Sequence, residues 1–180
     1  MTTIVLGYQP RCLIADRLVV KTLTNKNTKI RKVGSVMEAK IQVTEDRHFA
    51  YVFDFEQRPG VIPLVLNYLT RFENGSLGDD EVLDIPKALL GELSGDLFVL
   101  SKKHNYCLNL KPGVNVITIV ELQRTNEDDV PNRISEALGL TGLEVFEAIR
   151  RSDAHLMSGG YDVIYPKDLV AIPKAKRVKA

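Results

Sequence analysis

The chain has 180 residues, 44% of them hydrophobic and 26% charged, with a formal net charge of +1. That is enough apolar matter for one real core, and it excludes a wholly disordered or coiled-coil chain. No apolar run approaches the roughly 20 residues that a membrane-spanning helix needs, and Met1-Thr2-Thr3-Ile4 opens without the basic and small-residue features of a secretory signal. Cys12 and Cys107 are far apart and form no CxxC. They fit a reducing, cytoplasmic compartment, or incorporation into a larger assembly, and need no disulfide framework.

The near-zero charge hides blocks. Residues 1–32 carry seven basic side chains against Asp16 alone, residues 73–96 carry seven acidic ones against Lys87 alone, and residues 167–180 carry five basic ones against Asp168. Basic ends of this kind meet phosphates or an acidic protein surface, and complementary blocks can pair between copies of one chain.

Along the chain, Thr3–Gly7 and Leu13–Leu23 read as strands with Pro10 between them. Met37, Ala39, Ile41 and Val43 alternate with polar residues, as do Phe49, Tyr51, Phe53 and Phe55 with their neighbours. The short polar link 44–48 makes these two an antiparallel hairpin, its aromatic row facing a core rather than stacking on nucleic-acid bases. Leu64–Phe72, with Pro63 in its first turn, and Pro86–Leu93 read as helices. Leu97–Leu100, Tyr106–Leu110 and Val114–Leu122 read as strands. Lys111-Pro112-Gly113-Val114 has the composition of a type II turn and should pair the last two. Apolar residues on both faces of 114–122 predict a central position in the sheet.

After an acidic stretch at 125–129, Pro131–Leu138 reads as a helix closed by Gly139. Thr141-Gly-Leu-Glu144 has the form of a capping box opening a second helix to about Arg151, with Leu143, Phe146 and Ile149 as its inner stripe. Tyr161–Tyr165 and Leu169–Ile172 read as extended segments, followed by a basic tail. The fold expected is α+β: a mainly antiparallel sheet with a few short helices, then a C-terminal two-helix, helix-turn-helix-like unit and the tail. In domain terms this is 1–123 mainly β with helices near 63–72 and 86–93, a small helical unit at 124–157, and an extended segment and tail at 158–180.

Segment 133–151 resembles a helix-turn-helix, but its second helix would present Glu144 and Glu147 to phosphates, and only Arg150 and Arg151 favour contact. Candidate contacts to nucleic acid or an acidic partner are Lys26, Lys29, Arg31, Lys32, Arg150, Arg151, Lys174, Lys176, Arg177 and Lys179. Catalytic patterns are absent: there is no phosphate loop, dinucleotide fingerprint or nucleophile elbow. His48, His104 and His155 are dispersed, and His104 and Cys107 would fall on opposite faces of a strand. No catalytic residue, metal or cofactor is assigned. The reading is a non-enzymatic assembly or interaction subunit, of the character of small viral or phage structural components. It would act through a protein partner or self-association, with nucleic acid reached through the basic ends and no membrane. A nucleic-acid-binding regulator using 133–151 is the alternative, and a small enzyme of unknown type the second.

Overall fold

The computed structural model describes residues 4–7, 10–24, 31–53, 60–91, 95–120, 122–125, 141–152 and 160–176. Antiparallel pairing dominates, with three α-helices among the described residues, so the α+β expectation holds at that level. The chain divides into two compact units, residues 1–42 with 121–165, and residues 43–120 with 166–180.

In the first unit a four-stranded sheet has the order β12 (Leu122–Thr125), β1 (Ile4–Gly7), β2 (Cys12–Asp16) and β13 (Tyr161–Ile164). Ile4 lies across from Ala15 and Thr125, and Tyr161 from Asp16. β1 and β2 are buried throughout, which explains their unbroken apolar sequence: strands covered on both faces lose the wet alternation. One face meets α3 (Gly142–Ser152), where Val145 and Phe146 pack on Val5, Cys12 and Ile14, with the Phe146 and Tyr161 rings 5.2 Å apart.

The capping box forms as read. The Glu144 amide donates to the Thr141 hydroxyl at 3.2 Å, and the Thr141 amide donates to the Glu144 carboxylate at 3.4 Å. The inner stripe differs, since Leu143 is exposed while Val145 and Phe146 are buried. The preceding helix expected at 131–138 lies outside the described residues, so the two-helix unit is reduced here to α3.

The strand expected over Leu13–Leu23 is two strands, β2 and β3 (Leu18–Thr24), broken at Arg17. There the Arg17 amide donates to the Gly160 carbonyl and the Arg17 carbonyl accepts from Glu38. β3 pairs with β4 (Arg31–Met37) as a separate ribbon. The alternation read over 37–43 is mostly not a strand. Residues 38–41 are irregular, and only β5 (Gln42–Val43) remains, because Lys40 turns inward to a buried carboxylate.

The second unit is built on a sheet of order β11 (Thr118–Ile119), β9 (Asn105–Leu110), β8 (Gly95–Ser101), β6 (Phe49–Phe53) and β5. The aromatic row of β6 is core, with Phe49 and Phe53 buried and Tyr51 packed against the same cluster. Helix α1 (Val61–Asn74) is longer than read and buries Val61, Ile62, Val65 and Leu69 on that core. It closes at Gly75, whose φ of 80° is the left-handed cap conformation. Helix α2 is a single turn, Lys87–Leu90, after Pro86.

The strand expected over Val114–Leu122 is three pieces, β10 (Gly113–Asn115), β11 and β12. β11 pairs with β9 as expected, but β10 pairs with β7 (Leu83–Ile85). Asn115 causes the divergence: its side chain donates to the Lys111 and Gly113 carbonyls and accepts from the Lys111 amide, folding the turn back on itself. β11 ends the sheet instead of lying at its centre.

Truncating Phe146 to Ala should cost about 3–5 kcal/mol, because a fully buried ring leaves a cavity between α3 and the sheet. Urea denaturation checks this.

Candidate functional site

Two polar clusters stand out, one in each unit. In the first, alternation along β2 puts Asp16 in the same row as Cys12 and Ile14. It is the one charged residue in an otherwise apolar buried strand, and its side chain is 5% exposed. Removing a carboxylate from water costs several kcal/mol unless a cation and hydrogen bonds replace the lost hydration. Lys40 supplies both. Its ammonium, 12% exposed, donates to the two carboxylate oxygens at 3.0 and 2.9 Å. Both ends of the pair are held by main chain: Asp16 by strand pairing to Tyr161, and the Lys40 segment by the bond from Glu38 to Arg17. Beside it, Arg17 Nε faces Asp162 at 3.3 Å across to β13, with both side chains more than a third exposed.

In the second unit, Glu73 in the last turn of α1 accepts hydrogen bonds on one carboxylate oxygen from the Ser101 and Tyr106 hydroxyls, the latter at 2.6 Å. Ser101 Oγ also accepts from the amides of Lys103 and His104, and the rings of Phe72, His104 and Tyr106 lean together. The residue types are those of hydrolytic chemistry, but Ser101 and Tyr106 are both fully buried. A hydroxyl with no surface cannot meet a substrate. This cluster is a tie between the helix end and the β8–β9 turn.

The cysteines are not nucleophiles either. Burial pushes the Cys12 thiol up to about 11, and burial together with the nearby Asp96 charge does the same for Cys107. At neutral pH both remain thiols, whereas reactive cysteines are shifted the other way. Among the described residues, no three His, Cys, Asp or Glu side chains gather at metal-binding distance, and no helix is long and apolar enough to cross a membrane.

Some of the basic residues singled out in the sequence fall on described elements. Arg31 and Lys32 begin β4, across from Thr24 and Leu23, and Arg150 and Arg151 fall in the last turns of α3. Lys174 and Lys176 are exposed in the second unit. Lys26, Lys29, Arg177 and Lys179, like His155, lie outside the described residues. Sequence reasoning missed Asp16 and Lys40. The usable signal was a lone carboxylate closing the apolar run Cys12–Ala15, which demands a buried cation from elsewhere in the chain.

No protein-family model matches the chain, and no curated protein does. Among solved structures it is similar to a eukaryotic HslV from Trypanosoma brucei, at 15% identity and a TM-score of 0.46, over 90% of this chain and 97% of that one. That match stands against the expectation of a non-enzymatic assembly or interaction subunit and against the expectation that the chain is not an enzyme, and both are withdrawn; it gives this chain no activity of its own. A pair assembled from positions 16 and 40 leaves no contiguous motif in the sequence. Viral, structural and nucleic-acid readings gain no support from it. At that identity the likeness assigns no role to any residue.

Two measurements follow. Lys40→Met should cost about 3–5 kcal/mol by leaving a buried carboxylate unpaired, while the double change Asp16→Leu with Lys40→Met recovers most of that loss; denaturant titration of the three variants checks it. The raised thiols also set a pH dependence. Their contribution to stability is complete below the unfolded thiol value of 9.0 and fades as pH climbs toward about 11. Cys12→Ala should flatten the alkaline loss of melting temperature.

Proposed function

We propose that the chain is a hydrolase of acyl compounds, working at the Asp16–Lys40 pair with a threonine hydroxyl as nucleophile. The observation that carries this reading is the buried, doubly hydrogen-bonded pair at the end of β2, beside the point where the chain enters β1. Ile4, the first described residue, lies across from Ala15, the neighbour of Asp16. Thr2 and Thr3 precede it in sequence and lie outside the described residues.

An unassisted hydroxyl is a weak nucleophile and needs a base or a nearby positive charge. In this reading Lys40 supplies the charge, lowering the energy of a threonine oxygen as it loses its proton. Asp16 keeps that ammonium fixed and compensated. The proton passes to an amine, the α-amine serving when processing makes the threonine the first residue. The oxygen attacks the substrate carbonyl, the bond to the leaving group breaks, and the leaving group takes the proton. Water then releases the acyl group from the threonine ester. Peptide amides and simple esters are the substrate class.

The test is turnover of a panel of fluorogenic peptide amides and esters, with intact-mass mapping of the N-terminus and of any acyl adduct. Wild type and the Thr→Ser variants at positions 2 and 3 should turn over. Thr2→Ala or Thr3→Ala, and Lys40→Ala, should lose about 100-fold or more. Undiminished turnover in Lys40→Ala, or a panel on which wild type shows neither turnover nor adduct, sinks the reading.

A further inference from the structure

From Val114 to Ile117 exposed and inward positions alternate, as in a strand with one wet face, while Thr118 and Ile119 are both exposed. Asn115 is buried and Ile117 packs on the core. Its outward row is not polar: Val114 is 53% exposed and Val116 78%. Across the β7–β10 ribbon, Val114 is paired with Asp84, and Asn115 with the buried Leu83. Just beyond the last pair, Asn115 with Leu83, lie Val116 and Val82, the latter 57% exposed. Three exposed valines thus lie on or just past the end of this ribbon, and Ile119 of the terminal strand β11 is 48% exposed. Branched apolar residues on both faces are the pattern of an inner strand, yet no further strand flanks β11 among the described residues.

The charges around this face are mostly of one sign. Asp84 shares the outer face with Val114, and Asp79, Asp80 and Glu81 are exposed just before Val82. Glu81 is paired with Arg71, and Lys87 and Lys111 are the basic side chains at the far ends of the two segments. The balance remains acidic.

We propose that the strip Val114–Ile119, with Val82, is a docking surface for an extended segment of a protein partner that carries lysine or arginine among apolar side chains. The segment adds a strand alongside β11, covers the valines and sets its cations against Asp79, Asp80 and Asp84. Strand addition supplies main-chain hydrogen bonds, while alternate side chains and charge select the segment.

The probe is a blocked peptide alternating valine and lysine, with a valine–glutamate peptide as its counterpart, read by fluorescence anisotropy on the full chain. The valine–lysine peptide should bind and the glutamate peptide should not. Val114→Ser with Val116→Ser, both at exposed positions, should weaken binding at least tenfold, and Asp80→Asn with Asp84→Asn should weaken it and flatten its salt dependence. Amide exchange along 116–119 should slow in the complex. Equal binding of both peptides, no binding of either, or unchanged binding by the serine variant overturns the proposal. So does concentration-dependent self-association that the serine changes abolish and the peptide does not compete, since a second copy would then be what covers the face.

Discussion

Asp16 is a charge in a place where charge is expensive. The four residues before it are apolar and buried, and its strand has a partner on each side, so neither the backbone nor the side chain can move out to water without unpicking the sheet. Lys40 must therefore come to it. That requirement accounts for the irregular path of residues 38–41, for the bond that ties Glu38 to Arg17, and for the early end of the strand that the alternation at 37–43 would otherwise continue. A hydrophobic pair of the same shape would be cheaper to fold. The ion pair at the end of the first hairpin is therefore kept at a cost in stability.

The Glu73 cluster sharpens the distinction between polar groups that hold and polar groups that act. Glu73, Ser101, Tyr106 and His104 look in composition more like a catalytic set than an isolated ion pair does. Their geometry says otherwise. Both hydroxyls point at one carboxylate oxygen with no surface of their own, and Ser101 Oγ is occupied by two amides from the following turn. A carboxylate near a helix C-terminus is unfavourably placed against the helix dipole, and the two donors offset that cost. The cluster fixes where α1 ends against the sheet.

What the sequence disclosed was local. The capping box at Thr141 and Glu144, the aromatic row of β6 and the turn at Pro112-Gly113 each depend on residues within a few positions of one another, and each was found where expected. What it hid was distant. Asp16 and Lys40 are 24 residues apart, and no periodicity links them. The stretch 114–122 misled for a related reason. Its alternation predicts one continuous strand, but Asn115 spends its side chain on the turn and hands β10 to a different partner from β11. Hydrophobic pattern specifies which face is buried; it does not specify which neighbour provides the burial.

That same ambiguity gives the outward valines their meaning. A pattern with branched residues on both faces encodes two coverings, and the fold of the second unit supplies one of them. Exposure of single apolar residues is ordinary on protein surfaces. Three exposed valines on and just past the end of one ribbon, with an acidic segment leading into it, form more than a single exposed residue. Edge strands that must stay single usually carry lysine, proline or a bulge on the outside. Val114, Val116 and Thr118 carry none of these, so nothing in the side chains of this edge opposes the approach of another strand.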